Sequence, residues 1–161
     1  MNVKTIPAPK YVKDTLTGIA DKQIEISNGR PIPVSADSDT YVGIYTNDHL
    51  KIGAIMVLDL SLAGWLSAAL CVMPAGGVQE AVERRILPAT VVEAIPEVFN
   101  MSAGIFNYPG GQHLKLYQTV EPGTPPPLDV LALANSLGRR LDLHVTVPGY
   151  GDGYLSIVLA P

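Results

Sequence analysis

Glu97 and Asn100 stand three residues apart on an otherwise apolar segment, residues 91–104, and their types and spacing suit a specific chemistry. At about 100° per residue a helix there places Val92, Ile95, Phe99, Ala103 and Phe106 on one face. Glu93, Glu97, Asn100 and Gly104 then share a sector roughly 60° wide on another. A sector that narrow, ending on a glycine, admits the close approach of a partner. A carboxamide donates and accepts hydrogen bonds but is no useful base. It therefore fits a reaction in which placing a water matters more than removing its proton, such as phosphoryl transfer to water. The neighbouring carboxylate offers an ion-pair partner to a lysine or arginine of a second protein. A plainer alternative is that both residues are only the wet face of a helix packed on a sheet.

The elements that must hold this pair alternate along the chain. Tyr11 to Ala20 carries Val12, Leu16 and Ile19 at helical spacing and leads into a short strand, Gln23 to Ser27. Asn28-Gly29 reads as a turn, and the stretch from Pro31 to Asp39 as a loop. Thr40 to Thr46 and His49 to Leu58 are β-branched and apolar on either side of Asn47-Asp48, the pattern of a hairpin. Asp59 and Ser61 then cap a helix whose buried stripe is Leu62, Trp65, Leu66, Ala69, Leu70 and Met73. A short charged helix spans Val78 to Ile86. Pro88 is placed to start the motif helix, and Pro96 within it predicts a kink or a fresh helix start.

Downstream, Asn107 to Gly111 reads as a turn and Gln112 to Val120 as a strand with Leu114 and Leu116 on one side. Gly123 to Pro127 is a stiff loop, Leu128 to Leu137 a helix stopped by Gly138, and Leu141 to Val147 with Tyr154 to Ala160 a hairpin across residues 148–153. Five or six strands and four or five helices, with antiparallel hairpins at both ends, predict an α+β fold of helices packed on a mostly antiparallel sheet.

At this point the chain resembles the CheC/CheX family of chemotaxis phosphatases. That family's helix motif runs Asp or Ser, three residues, Glu, two residues, Asn, then about twenty-one or twenty-two residues to a Pro. Glu97, Asn100 and Pro122 keep this spacing, and Glu93 stands where the family has the shorter Asp or Ser. The order of hairpin, buried helix, connector, motif helix and further strands extends the resemblance over about residues 41–160, within a single domain spanning 1–161. A single copy of the motif points to CheX-like rather than CheC-like members.

The resemblance implies a cytoplasmic hydrolase of two-component signalling. Its substrate is the aspartyl phosphate of a CheY-like receiver domain, and the Mg²⁺ is supplied by that receiver, with no cofactor of its own. In these terms Asn100 and Glu97 are the catalytic pair and Glu93 and Gly104 contribute to binding; exposed strand edges allow a homodimer like those of CheX-like relatives, and the sequence leaves the oligomeric state open. The runner-up is a CheX-like module that binds a signalling partner without hydrolysis. An unrelated small-molecule binding domain is a third reading.

Composition narrows the field in the same direction. With 161 residues, 47% hydrophobic and 16% charged, the chain has the means to bury one good core. A net charge of −4, with no basic cluster beyond Arg84-Arg85 and Arg139-Arg140, argues against nucleic acid and anionic membranes as partners. The apolar run from Ala54 to Met73 is interrupted by Asp59 and Gly64, so it reads as strand then helix rather than a membrane span. No signal peptide is visible, and the single cysteine, Cys71, fits a reducing compartment. His49, His113 and His144 have no metal-ligand spacing, Asp37-Ser38-Asp39 lacks the rest of a calcium loop, and the glycines at 149, 151 and 153 read as a flexible hairpin turn.

Overall fold

The computed structural model describes residues 5–161. Along the chain these form α1 (Pro9–Ala20), β1 (Glu25–Asn28), β2 (Thr40–Thr46), β3 (Ile52–Asp59), α2 (Leu60–Leu70), α3 (Gly76–Arg84) and α4 (Ala89–Met101). A 3₁₀ turn (Ser102–Ile105), β4 (Lys115–Val120), α5 (Leu128–Ala134), β5 (Arg140–Val147) and β6 (Gly151–Leu159) follow. The strands make one antiparallel sheet in the order β1-β5-β6-β3-β2-β4. This is the α+β fold the periodicities predict.

Alternation along the strands divides the core between the two faces of the sheet. Tyr41, Tyr45, Ala54, Met56, Leu58, Leu155 and Ile157 face the larger cluster, completed by α1, α2 and α4. Val42, Ile44, Ile55, Val57 and Val158 face a smaller one, covered by Ile32 and Val34 of the 30–34 strap and by Val130 and Ala134 of α5. Strand β2, next to the edge strand β4, is buried along its whole length, because it is paired on both edges and covered on both faces.

Helix α2 starts at Asp59, whose Oδ1 accepts the Leu62 N–H at 2.8 Å while Oδ2 accepts the Tyr154 N–H at 3.0 Å. One carboxylate thereby caps the helix and ties it to β6. Burial raises the Asp59 pKa above its ordinary value, and the two backbone N–H groups partly offset that rise. No described helix is long and apolar enough to cross a membrane.

The structure corrects three expectations. Of the three late glycines only Gly149, at φ +85°, serves a turn. Gly151 and Gly153 lie inside β6, where a Cβ would come within 2.5 Å of the Trp65 ring and of the Asp59 carboxylate respectively. They are there because α2 packs directly on that strand. The last helix stops at Ala134 rather than Leu137, where the Asn135 side chain turns back to the Leu131 carbonyl at 3.0 Å and also pairs with both backbone polar groups of Val34, at 3.3 and 2.9 Å. Strand β4 begins at Lys115, so Leu114 enters the core from the preceding loop, its N–H and C=O held by the Asn107 carboxamide.

Candidate functional site

Helix α4 carries the motif. Pro88 is its N-cap in extended conformation, and its carbonyl accepts the Val92 N–H at 3.0 Å. Pro96 neither ends nor restarts the helix, which runs unbroken from Ala89 to Met101. It removes only the N–H that would reach the Val92 carbonyl, and its ring sits on the exposed side.

The buried face of α4 is Val91, Ile95, Val98 and Phe99, whereas Val92 is half-buried. The helix is thus turned by a fraction of a turn from the face expected. This rotation sets Glu93, Glu97 and Asn100 opposite the core, and all three are exposed. Glu97 and Asn100 are one turn apart on the same side, about 4.5 Å along the axis. Neither side chain has a hydrogen-bond or ion-pair partner among the described residues. Gly104 is exposed too, with open space where a Cβ would stand. It belongs to the 3₁₀ turn rather than to the α-helix, so it is displaced roughly 60° around the axis from the sector reckoned on α geometry. Met101, 38% exposed, borders the polar sector in its stead.

Two residues of β2 that sequence reasoning missed anchor the back of this helix. The Tyr45 hydroxyl donates to the Phe99 carbonyl at 2.6 Å, one residue before Asn100. The Phe99 ring lies over Gly43, where an added Cβ would stand 2.4 Å from it. A glycine inside a buried strand was the available signal, because it marks the close approach of another element. Nothing in the strand pattern reveals which carbonyl a buried tyrosine meets. Pro122 lies two residues beyond β4, on the loop leading to α5, and no hydrogen bond ties it to α4.

The face around Glu97 and Asn100 is open. Two cavities of about 590 and 400 Å³ lie on the other side of the sheet around α5, and neither residue lines them. Also on that side, His144 Nε2 meets Asp152 Oδ2 at 2.6 Å and its Nδ1 meets Ser27 Oγ at 3.4 Å. This cross-strand chain ties the short edge strand β1 to β5 and β6. An exposed amide and carboxylate without partners among the described residues, on a helix face that lines neither cavity, suit a macromolecular partner rather than an enclosed small molecule.

No protein-family model matches the chain, and no curated protein sequence matches it. Solved structures do. Thermotoga maritima FliY superposes with a TM-score of 0.60 at 14% identity, covering 96% of this chain and 85% of that one. A chain of the FliM-SpeE complex from H. pylori gives 0.57 at 9% identity, covering 93% and 80%. A chain of the CheX-CheY-BeF3-Mg²⁺ complex from Borrelia burgdorferi gives 0.55 at 16% identity, covering 94% of each. These superpositions show that the chain has the fold shared by the CheX, FliY and FliM structures, and the CheX part of this is what the CheC/CheX resemblance implies.

Proposed function

We propose that the protein is a CheX-like phosphatase acting on the aspartyl phosphate of a CheY-like receiver domain. The observation that carries the reading is the side-by-side display of Glu97 and Asn100, exposed and unpartnered, on one face of an unbroken helix whose back is locked into the core. Surface residues held this firmly, with no structural bond of their own, are free to act on a partner. The receiver docks against α4 and brings its own Mg²⁺. Asn100 orients the attacking water in line with the phosphorus, and Glu97 pairs with the receiver's active-site lysine, which fixes the dock. Glu93 and the glycine at 104 border the contact. The likeness to a CheX-CheY complex supports this choice of partner, and a cytoplasmic place in chemotaxis or related two-component signalling goes with it.

A second reading is a module that binds a signalling partner without hydrolysis. A chain of the FliM-SpeE complex superposes as well as CheX does, and Glu93 replaces the short first side chain of the motif, so both observations favour it. A homodimer belongs to either reading, since β1 and β4 are edge strands open to pairing. A panel of phosphorylated receivers, assayed with Mg²⁺ for binding and for phosphate loss, separates the two. Accelerated loss supports the phosphatase, whereas binding at the receiver's own decay rate establishes the module.

A further inference from the structure

We infer that Tyr45 is the positioning residue of the Asn100 site, holding the last turn of α4 at the rotation that aims the carboxamide at its target. In rate terms this rests on the phosphatase reading. The hold of the Tyr45 hydroxyl on the Phe99 carbonyl does not depend on it.

The α-helical ladder of α4 passes at its C-terminal turn into the 3₁₀ turn from Ser102, whose N–H is shared between the Val98 and Asn100 carbonyls, and side-chain donors add to it there. Val98 receives the Ser102 hydroxyl at 2.7 Å, and Phe99 receives the Tyr45 hydroxyl at 2.6 Å. Both bonds are buried, and they grip the two residues that precede Asn100. The grip from Tyr45 is the one that comes from outside the helix. Tyr45 is fully buried in the most enclosed strand of the sheet, with its ring 4.9 Å from that of Phe106.

The sheet itself is adjusted around this residue. Both neighbours of β2 shift register beside Tyr45, through an extra residue at Gly53 in β3 and at Tyr117 in β4. Bulges of this kind re-aim a side chain. Gly43, two residues back on the same face, gives the Phe99 ring its seat. Burial also lifts the Tyr45 pKa well above 10.0, so the hydroxyl stays a donor throughout the physiological range. A donor anchored in a strand that is paired on both edges and buried along its length sets the rotation of the turn more firmly than helix propensity alone would.

The test is Tyr45→Phe, which keeps the ring and its packing and removes one hydroxyl. Tyr150→Phe is the matched control, since the Tyr150 hydroxyl donates to the Met73 carbonyl at 2.5 Å after α2, away from the motif. Amide hydrogen exchange and receiver dephosphorylation are measured on both. The expected result for Tyr45→Phe is at least tenfold faster exchange confined to the amides of residues 100–103, and a kcat lowered about tenfold with KM for the receiver within twofold. Tyr150→Phe leaves both readouts at the wild-type level. Unchanged exchange in the 100–103 turn overturns the inference, as does a fall in rate that Tyr150→Phe reproduces. Should the wild type accelerate no receiver, the phosphatase reading fails and the lock is judged by exchange alone, a local loss upholding it and full protection refuting it.

Discussion

Asn100 is exposed and makes no bond within the described chain, so its replacement separates chemistry from folding. Asn100→Ala is expected to leave stability within about 0.5 kcal/mol of the wild type, as for other unpartnered surface positions. It should lower the accelerated rate about 10²- to 10³-fold, the scale for losing one preorganised polar group. Melting curves and dephosphorylation rates on the same samples check both halves. Val72 makes a second case at this scale. It sits at φ +55° just past α2, where the Met73 and Val72 N–H groups turn back to Ala68 and Ala69, a helix stop that favours glycine. Its side chain is 86% exposed and contributes little packing. Val72→Gly should therefore stabilise the protein by about 1 kcal/mol, raising the melting temperature by roughly 2–4 °C. Glu97 and Asn100 were legible in the sequence because polar side chains interrupt an apolar run. Tyr45 and Gly43 were not, because alternation reports that a strand residue is buried without saying what it meets across the core.

For single elements, the motif helix and α2 make opposite demands. Pro96 deprives the Val92 carbonyl of its helical partner while its ring lies exposed, so Pro96→Ala should stabilise α4 by up to about 3 kcal/mol, measured by denaturant unfolding. The fresh helix start is not what forms, because the buried face on both sides of the proline, Val91 and Ile95 before it and Val98 and Phe99 after it, docks as one surface. Helix α2 instead depends on Asp59. Because burial raises this carboxyl's folded pKa above its ordinary value of 3.8, the folded state binds the proton more tightly than the unfolded chain does. The contribution is fully present below the unfolded pKa and is lost as pH rises through the folded one. Wild-type stability should accordingly gain on that of Asp59→Asn as pH falls from neutral into the carboxylate range, read from paired urea titrations. The opposite slope contradicts the burial assigned to this group. The start of α2 was legible from Asp59 and Ser61, whereas the tie from Asp59 to β6 needed the strand order.

The whole molecule is one sheet shared by two cores, and both depend on β2 and β3. Unfolding either core exposes the other, so a single cooperative transition is expected, with Trp65 fluorescence and far-UV circular dichroism coinciding. Separate midpoints contradict a shared sheet. Fold class was legible from hairpins and helix stripes, whose signals are local. The order β1-β5-β6-β3-β2-β4 and the placement of α5 opposite the other helices were not, since they depend on long-range pairs such as Asn135 with Val34 and Ala54 with Leu159. This arrangement leaves the α4 face free while the sheet holds it from behind, and the proposed phosphatase depends on that display. Its most direct test is single-turnover decay of a phosphorylated receiver with Mg²⁺ at saturating protein, comparing the wild type with Asn100→Ala. The expected result is rapid phosphate loss with the wild type, and decay at the receiver's own rate with the variant despite equal binding. Equally fast loss with Asn100→Ala contradicts it.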